Sequence, residues 1–209
     1  MAFTRNGYGQ VEPNQLSAQK TGQIYASLPL ASDVDILQNG EFMYYDYKSG
    51  TVTANGVGEP MLVFNEVKLY EPFWQTSYKD FAMIRVGDNY VTSRLATAGY
   101  GDGAETKGVA PNPGHSDWQA GYRMDGIAPR LFKTNVGDIF TTNMVETGDE
   151  ITYKQGDTLK LKKVAKAADK TGNTLVLSKT GDIDALEFVV AKVYTMPDGQ
   201  PGLKLQRIK

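Results

Sequence analysis

From residue 31 onward, turn-forming residues punctuate the chain roughly every eight to twelve positions, with β-branched and aromatic residues between them. That rhythm builds short strands joined by tight connections. The chain is therefore read as all-β, mainly antiparallel, in barrel- or sandwich-like units. Asn39-Gly40 can supply the positive φ angles of a type I′ turn, which makes Asp35–Gln38 and Glu41–Tyr47 a hairpin. Lys48-Ser49-Gly50 then turns the chain into Thr51–Thr53. Within Glu41–Tyr47, side chains alternate: Phe42, Tyr44 and Asp46 share one face, Met43, Tyr45 and Tyr47 the other. Both faces are rich in apolar surface, as in a strand inside a barrel wall or at an interface.

The same reading extends to the C-terminus. Met61–Tyr70 alternates at Val63, Asn65, Val67 and Leu69, and Glu71–Lys79 reads as a helical turn within an aromatic group that includes Trp74. Val86–Leu95 and Val136–Val145 each carry Val-Gly-Asp before a strand with matching aromatic and threonine positions. One short match does not make a repeat, because Gly-Asp is simply a good turn. Between them, residues 98–130 hold seven glycines and three prolines, and loops this long tend to be functional or disordered. Strands follow at Gly156–Val164, Thr174–Ser178, Leu186–Met196 and Leu203–Ile208, the last two joined through Pro197–Gly202.

Residues 1–30 differ. Their few large apolar residues keep no sustained period, although a short helix fits within Pro13–Ala26 with Leu16, Ile24 and Tyr25 as its apolar members. Such a segment cannot offset its own ordering entropy, so it reads as an extended arm, mobile or tied down on another surface. The expected organisation is an arm over 1–30, a β-rich body over 31–147 and a small β-barrel-like unit over 148–209.

Composition narrows the chemistry. There is no cysteine, which removes disulfides, thiolate catalysis and cysteine-ligated metals. Apolar runs such as Met61–Phe64 and Phe188–Ala191 fall far short of the ~20 residues of a membrane-spanning helix, and nothing marks export or membrane insertion. Residues 1–153 carry a net charge of −7 and residues 154–209 a net charge of +5. Opposed halves favour charge-guided docking to a partner or to each other.

The catalytic inventory is thin. The single histidine, His115, stands beside Ser116 and Asp117, but adjacent residues do not converge as nucleophile, base and orienter, and no Gly-x-Ser-x-Gly elbow occurs. Asp33/Asp35 and Asp182/Asp184 with Glu187 lack the ligand count and central glycine of a calcium loop. Gly99–Gly103 lacks the spacing of a dinucleotide site. Lys160, Lys162, Lys163 and Lys166 could track a nucleic acid backbone, yet only Phe188 and Tyr194 accompany them as stacking residues. No catalytic, cofactor or metal residue is assigned, no cofactor is expected, and neither a membrane nor a nucleic acid is the expected partner.

Together the arm through Leu30, the segment ILQNGEFMYYDYKSGTV, the two Val-Gly-Asp turns and the closing VVAKVYTMPDGQPGLKLQRI resemble the decoration, or cement, proteins of tailed-bacteriophage heads. The resemblance implies a non-enzymatic virion protein on the outside of the capsid, present in the host cytoplasm during assembly. It implies the major capsid protein as partner, a homo-oligomer with a trimer favoured, stabilisation of the shell, and the arm as tether. Tyr8, Leu16, Ile24, Tyr25, Tyr45, Tyr47 and Trp118 are then the candidate partner-binding residues. Alternatives are another virion component such as a tail-tube or head-fibre protein, a carbohydrate-binding β-module using exposed Tyr and Trp, and, last, a hydrolase built on a pair of carboxylates.

Overall fold

The computed structural model describes the backbone of residues 3, 9–31, 34, 36–70, 77–85, 89–92, 128–165, 172–197 and 199–209, with side chains for all of these but 36, 66–70, 77–85 and 89–92. The Tyr8, Trp74, His115 and Trp118 positions, the Gly/Pro-rich stretch from 98 to 127, the Asp33/Asp35 pair and Lys166 lie outside the described residues.

The described chain is all-β. In order it runs β1 (Val11–Gln15), a single helical turn α1 (Ala18–Thr21), β2 (Ile24–Tyr25), β3 (Ile36–Leu37), β4 (Phe42–Asp46), β5 (Thr51–Thr53), β6 (Met61–Val63), β7 (Glu66–Tyr70), β8 (Ser77–Arg85) and β9 (Asn89–Thr92). It continues with β10 (Leu131–Phe132), β11 (Ile139–Thr142), β12 (Thr158–Ala165), β13 (Asn173–Ser178), β14 (Ile183–Thr195) and β15 (Pro201–Arg207). Eleven strands form one curled, half-barrel sheet in the order β1-β11-β15-β14-β12-β13-β4-β6-β10-β2, with β5 hydrogen-bonded to β4. A second sheet has the order β3-β8-β7, with β9 on β8.

Three strands of the large sheet form a wall with an apolar core on each side. Phe42, Leu62, Phe64 and Phe132 point into one cluster; Met43, Val63 and Leu131 point into the other. The pairing makes this exact side-by-side match: Phe42 opposes Leu62, Met43 opposes Met61, and Phe132 and Leu131 oppose Leu62 and Val63. Because successive residues of a strand face opposite ways, a strand buried on both faces must be apolar at every position. That is why the paired stretches Phe42-Met43, Met61–Val63 and Leu131-Phe132 read as unbroken apolar runs. The larger cluster centres on Phe42, Phe140 and Phe188, with ring centroids 5.6–6.3 Å apart, tilted or edge-on as aromatic quadrupoles prefer.

The boundary expected at residue 148 is not a boundary in this sheet. β11 pairs with β15 from Ile139↔Gln206 to Thr142↔Leu203, and β13 meets β4 at Leu175↔Phe42. The larger cluster takes residues from Phe3 to Leu205. The C-terminal strands share one core with β4, β6 and β11. The charge asymmetry is partly consumed here, since Arg207 pairs with Glu59 and Lys162 with Glu146 across the two halves.

The expected arm is corrected in the same way. From Gly9 on it is extended but laid into the domain's own sheet: β1 pairs with β11, Val11 opposing Thr142 and Glu12 opposing Thr141. Val11, Leu16 and Ala18 are buried in the core. What sparse hydrophobicity hides is a polar zipper. The Gly9 and Gln10 amides donate to Gln38 Oε1 and Asn143 Oδ1, both at 2.7 Å, and Thr142 Oγ1 donates to the Gln10 carbonyl at 2.7 Å. Further along, Asp138 accepts from the Ser17 amide and hydroxyl. Each such bond nets about 1 kcal/mol, and losing one leaves a buried polar group unpaired. The helix expected within Pro13–Ala26 shrinks to α1, ended by Gly22 in the left-handed region, with β1 and β2 on either side.

Three further expectations change. Asn39-Gly40 does turn the chain, with Gly40 at φ 89°, but it closes no hairpin: β3 pairs with β8 and β4 with β5, β6 and β13. The corner instead moves the chain between sheets. Asn39 is fully buried and grips the backbone of Asn65, Nδ2 donating to its carbonyl at 3.0 Å and Oδ1 accepting from its amide at 2.7 Å. Second, that same grip splits the strand expected over Met61–Tyr70 into β6 and β7, which belong to different sheets. Third, Ser77–Lys79 of the expected helical turn are part of β8. The hairpin through Lys48-Ser49-Gly50 forms as read, with Tyr44↔Thr53, Tyr45↔Val52 and Asp46↔Thr51.

Both faces of the wall should therefore carry stability. Phe42→Ala is expected to cost about 3–5 kcal/mol and Met43→Ala about 2–5 kcal/mol. Urea unfolding of either variant should remain a single transition with coincident probes, because the two cores share their strands.

Candidate partner-binding surface

Three of the seven candidate residues converge. Tyr45 and Tyr47 lie two positions apart and so share a face, and Tyr25 of β2 joins them. Ring centroids are 5.3 Å apart for Tyr25–Tyr45 and 5.2 Å for Tyr45–Tyr47, the latter edge-on. The ladder runs from core to solvent: Tyr45 is buried, Tyr25 half-buried, and Tyr47 is 74% exposed. Tyr45 belongs to the smaller core, with Tyr25, Leu28, Leu30 and Met61 packed against it. Its phenol oxygen accepts a hydrogen bond from the Ser27 amide at 3.0 Å, which fixes the middle ring.

The outer ring is presented by a braced turn. Asp46 accepts from the Lys48 amide at 3.1 Å and the Ser49 amide at 3.2 Å, and Gly50 adopts φ 68°, a conformation a β-carbon penalises. Hydrogen bonding by Ser49, then by the Lys48 amide, outweighs the small cost of burial and holds the Asp46 carboxyl below its usual range. The turn therefore keeps its shape at neutral pH. A tyrosine on such a turn offers apolar area, a ring edge and a hydroxyl at little entropic cost, the properties that make Tyr frequent at interfaces.

The remaining candidates part company with this surface. Leu16 is buried in the larger core and Ile24, half-buried, packs against it, because both belong to the segment zipped into the sheet. Phe188 is fully buried, and Tyr194 is half-buried with its hydroxyl bonded to Glu12 and Thr141. Lys160 and Lys162 are paired with Asp184 and Glu146, and Lys163 donates to Asn55.

The densest polar cluster lies elsewhere. Glu146 accepts from Lys162 at 2.5 Å and from Ser178 Oγ, while Thr180 bonds both Lys162 and Ser178. A serine, a lysine and a carboxylate together suggest nucleophilic catalysis. Here Lys162 is ion-paired with the Glu146 carboxylate rather than bonded to the Ser178 hydroxyl. The cluster closes a seam: the Glu146 amide donates to the Leu177 carbonyl at 2.8 Å beside a Val145↔Leu177 bridge, and Tyr153 donates to the Glu146 carbonyl at 2.7 Å. Burial pushes the Glu146 carboxyl up, but hydrogen bonds from Lys162 and Ser178, the Lys162 charge and Thr180 pull it further down, below its ordinary value. Burial pushes the Tyr153 phenol well up. Among the described residues, no group of three or more His, Cys, Asp and Glu could hold a metal ion, and no helix is long and apolar enough to cross a membrane. Compared with protein-family models, curated proteins and solved structures, the chain matches none.

Sequence reasoning missed the residues that fix this surface and its scaffold. The Ser27 amide carries no side-chain signal. Arg207, although charged, is 8% exposed and joins Glu59 at 2.6 Å to the Thr134 carbonyl and hydroxyl.

Tyr47→Ala should change stability by less than about 0.5 kcal/mol, whereas Arg207→Ala should cost about 2–4 kcal/mol by leaving Glu59 and Thr134 unpaired. Because the folded Glu146 pKa is depressed, its contribution is present above the unfolded glutamate pKa of about 4.3 and is lost as pH falls through the lower folded value. Chemical denaturation from pH 6 down to about pH 3 should show a shallower loss of stability in Glu146→Gln than in the parent.

Proposed function

We propose that this is a non-enzymatic structural protein of a tailed-phage virion, bound to the outside of the capsid through the Tyr25–Tyr45–Tyr47 face. The observation that carries the reading is the ladder itself: two inner rings held by the core, and an outer ring on a braced turn with its surface in solvent. Fully burying such a side chain is worth about 1.5–3 kcal/mol. That is too little for one tight contact but enough when symmetric copies bind a repeating lattice, where each further contact becomes intramolecular. The major capsid protein is the proposed partner, a homo-oligomer, a trimer first, the proposed state, and shell stabilisation the proposed role. The protein would be made in the host cytoplasm and reside on the capsid exterior.

Support also comes from what the described side chains are used for. Ion pairs, hydroxyls and buried amides are spent on joining strands, which suits a protein whose task is to stay folded on a stressed surface. The tether role moves from residues 1–30 as a whole, since from Gly9 onward the segment is sheet and core. An exposed flat ring also favours a second reading, a carbohydrate-binding module, in which Tyr47 stacks on a sugar.

Co-sedimentation with expanded phage heads separates the two. Tyr47→Ser should lower the bound fraction at least about tenfold through lost burial and avidity, while Val136→Ser, which alters an equally exposed turn residue, should leave it unchanged. Equal binding by both variants would contradict the proposed face. Tyr47-dependent binding to a glycan panel without head binding would favour the carbohydrate module.

A further inference from the structure

The sequence contains three Asn-Gly pairs, at 6–7, 39–40 and 55–56; the first lies outside the described residues. The other two sit in opposite environments. Asn39 is fully buried, both ends of its side-chain amide bond the backbone of Asn65, and the Gly40 amide donates to the Val63 carbonyl at 2.9 Å. Asn55 is exposed in the connection between β5 and β6. Its backbone amide is held by Thr53 Oγ1 at 3.1 Å, and no acceptor among the described residues takes the Gly56 amide. The glycine is imposed by packing, because a β-carbon at 56 would overlap the Tyr44 side chain. The Asn55 carbonyl oxygen Oδ1 accepts from Lys163 Nζ of β12.

We infer that Asn55 is a site of spontaneous, irreversible self-modification, converted to aspartate or isoaspartate with Lys163 as the group that promotes the step. The Gly56 backbone nitrogen, giving its proton to water or hydroxide, attacks Asn55 Cγ. The new N–Cγ bond forms as the C=O electrons move to Oδ1, where the Lys163 ammonium stabilises the developing negative charge. The tetrahedral species collapses, the Cγ–NH2 bond breaks, and ammonia leaves with one added proton. A five-membered imide remains. Water opens it at either carbonyl, leaving a carboxylate at position 55 and, by one of the two routes, an extra methylene in the backbone. The net change is amide plus water to acid plus ammonia, and no oxidant or cofactor enters. The product places a negative charge against Lys163, an ion pair across the seam between the β5–β6 connection and β12. Asn39 cannot follow, since its Cγ is gripped from both sides and its nucleophile is already donating.

The test is peptide mass mapping, with isoaspartate detection, of the full chain incubated at neutral and mildly alkaline pH. Position 55 is expected to convert while position 39 stays intact, and the rate at 55 should rise with pH. In concentrated urea both positions should convert at similar rates, showing that the fold makes the difference. Lys163→Met should slow conversion at 55 about fivefold, as expected for the loss of one exposed hydrogen bond of ordinary net strength, without changing the rate in urea. Lys163→Arg, which keeps a donor, should restore most of it. Native conversion at 39 as fast as at 55, no effect of Lys163→Met, or ammonia loss that joins Lys163 covalently to residue 55 would each overturn the inference.

Discussion

The wall formed by β4, β6 and β10 has no polar face. Because Phe42 and Met43, Leu62 and Val63, and Phe132 and Leu131 alternate between two clusters, neither side of these strands can be left to solvent. Each of these side chains is worth about 1.5–3 kcal/mol in burial, so both cores must assemble together. The consequences spread outward. The C-terminal strands close one side, and Ala31, Val34 and Leu37 with Val52 and Ala54 close the other. The Tyr45 ring is the point where the second core reaches the surface, and Tyr47 is its continuation into solvent.

Hydrophobic burial does not fix which strands pair, and here buried polar side chains supply that choice. Asn39 gripping Asn65, Asn143 receiving the Gln10 amide and donating to Gln200 at 2.8 Å, and Arg207 joining Glu59 to Thr134 each connect segments far apart in sequence. A register slip would strand these groups without partners, at about 1–3 kcal/mol apiece. The same logic explains how a segment as apolar-poor as residues 9–23 becomes part of a sheet: it contributes three core residues, Val11, Leu16 and Ala18, and many donors and acceptors.

Strand identity was legible in the sequence because it depends on local patterns. The alternation in β12 and the Asp46–Gly50 turn appear where their residues suggest, whereas the connection before β15 is shorter than read, because Pro201 and Gly202 already pair with Thr195 and Tyr194 as part of β15. The two-faced character of Glu41–Tyr47 was legible for the same reason. Long-range partnership was not. Asn39-Gly40 carries the signature of a hairpin turn, and only the burial of Asn39 against Asn65 makes it a corner between sheets. Likewise the low hydrophobicity of residues 1–30 signals an arm, whereas the decisive contacts are side-chain hydrogen bonds to residues 38 and 138–143, which no periodicity reveals. For the candidate surface, Tyr45 and Tyr47 follow from period-two spacing, but Tyr25 joins them only through the β2–β10–β6 pairing.

Native-state hydrogen exchange at the Gly9, Gln10 and Val11 amides tests this account most directly, because it asks whether the N-terminal segment belongs to the cooperative unit that the two-faced wall creates. Protection comparable to that of the β11 and β15 amides, lost in the same transition as global unfolding, is the predicted result. Exchange at those amides as fast as in exposed connections, while β11 and β15 stay protected, would contradict it and return the segment to the role of a free arm.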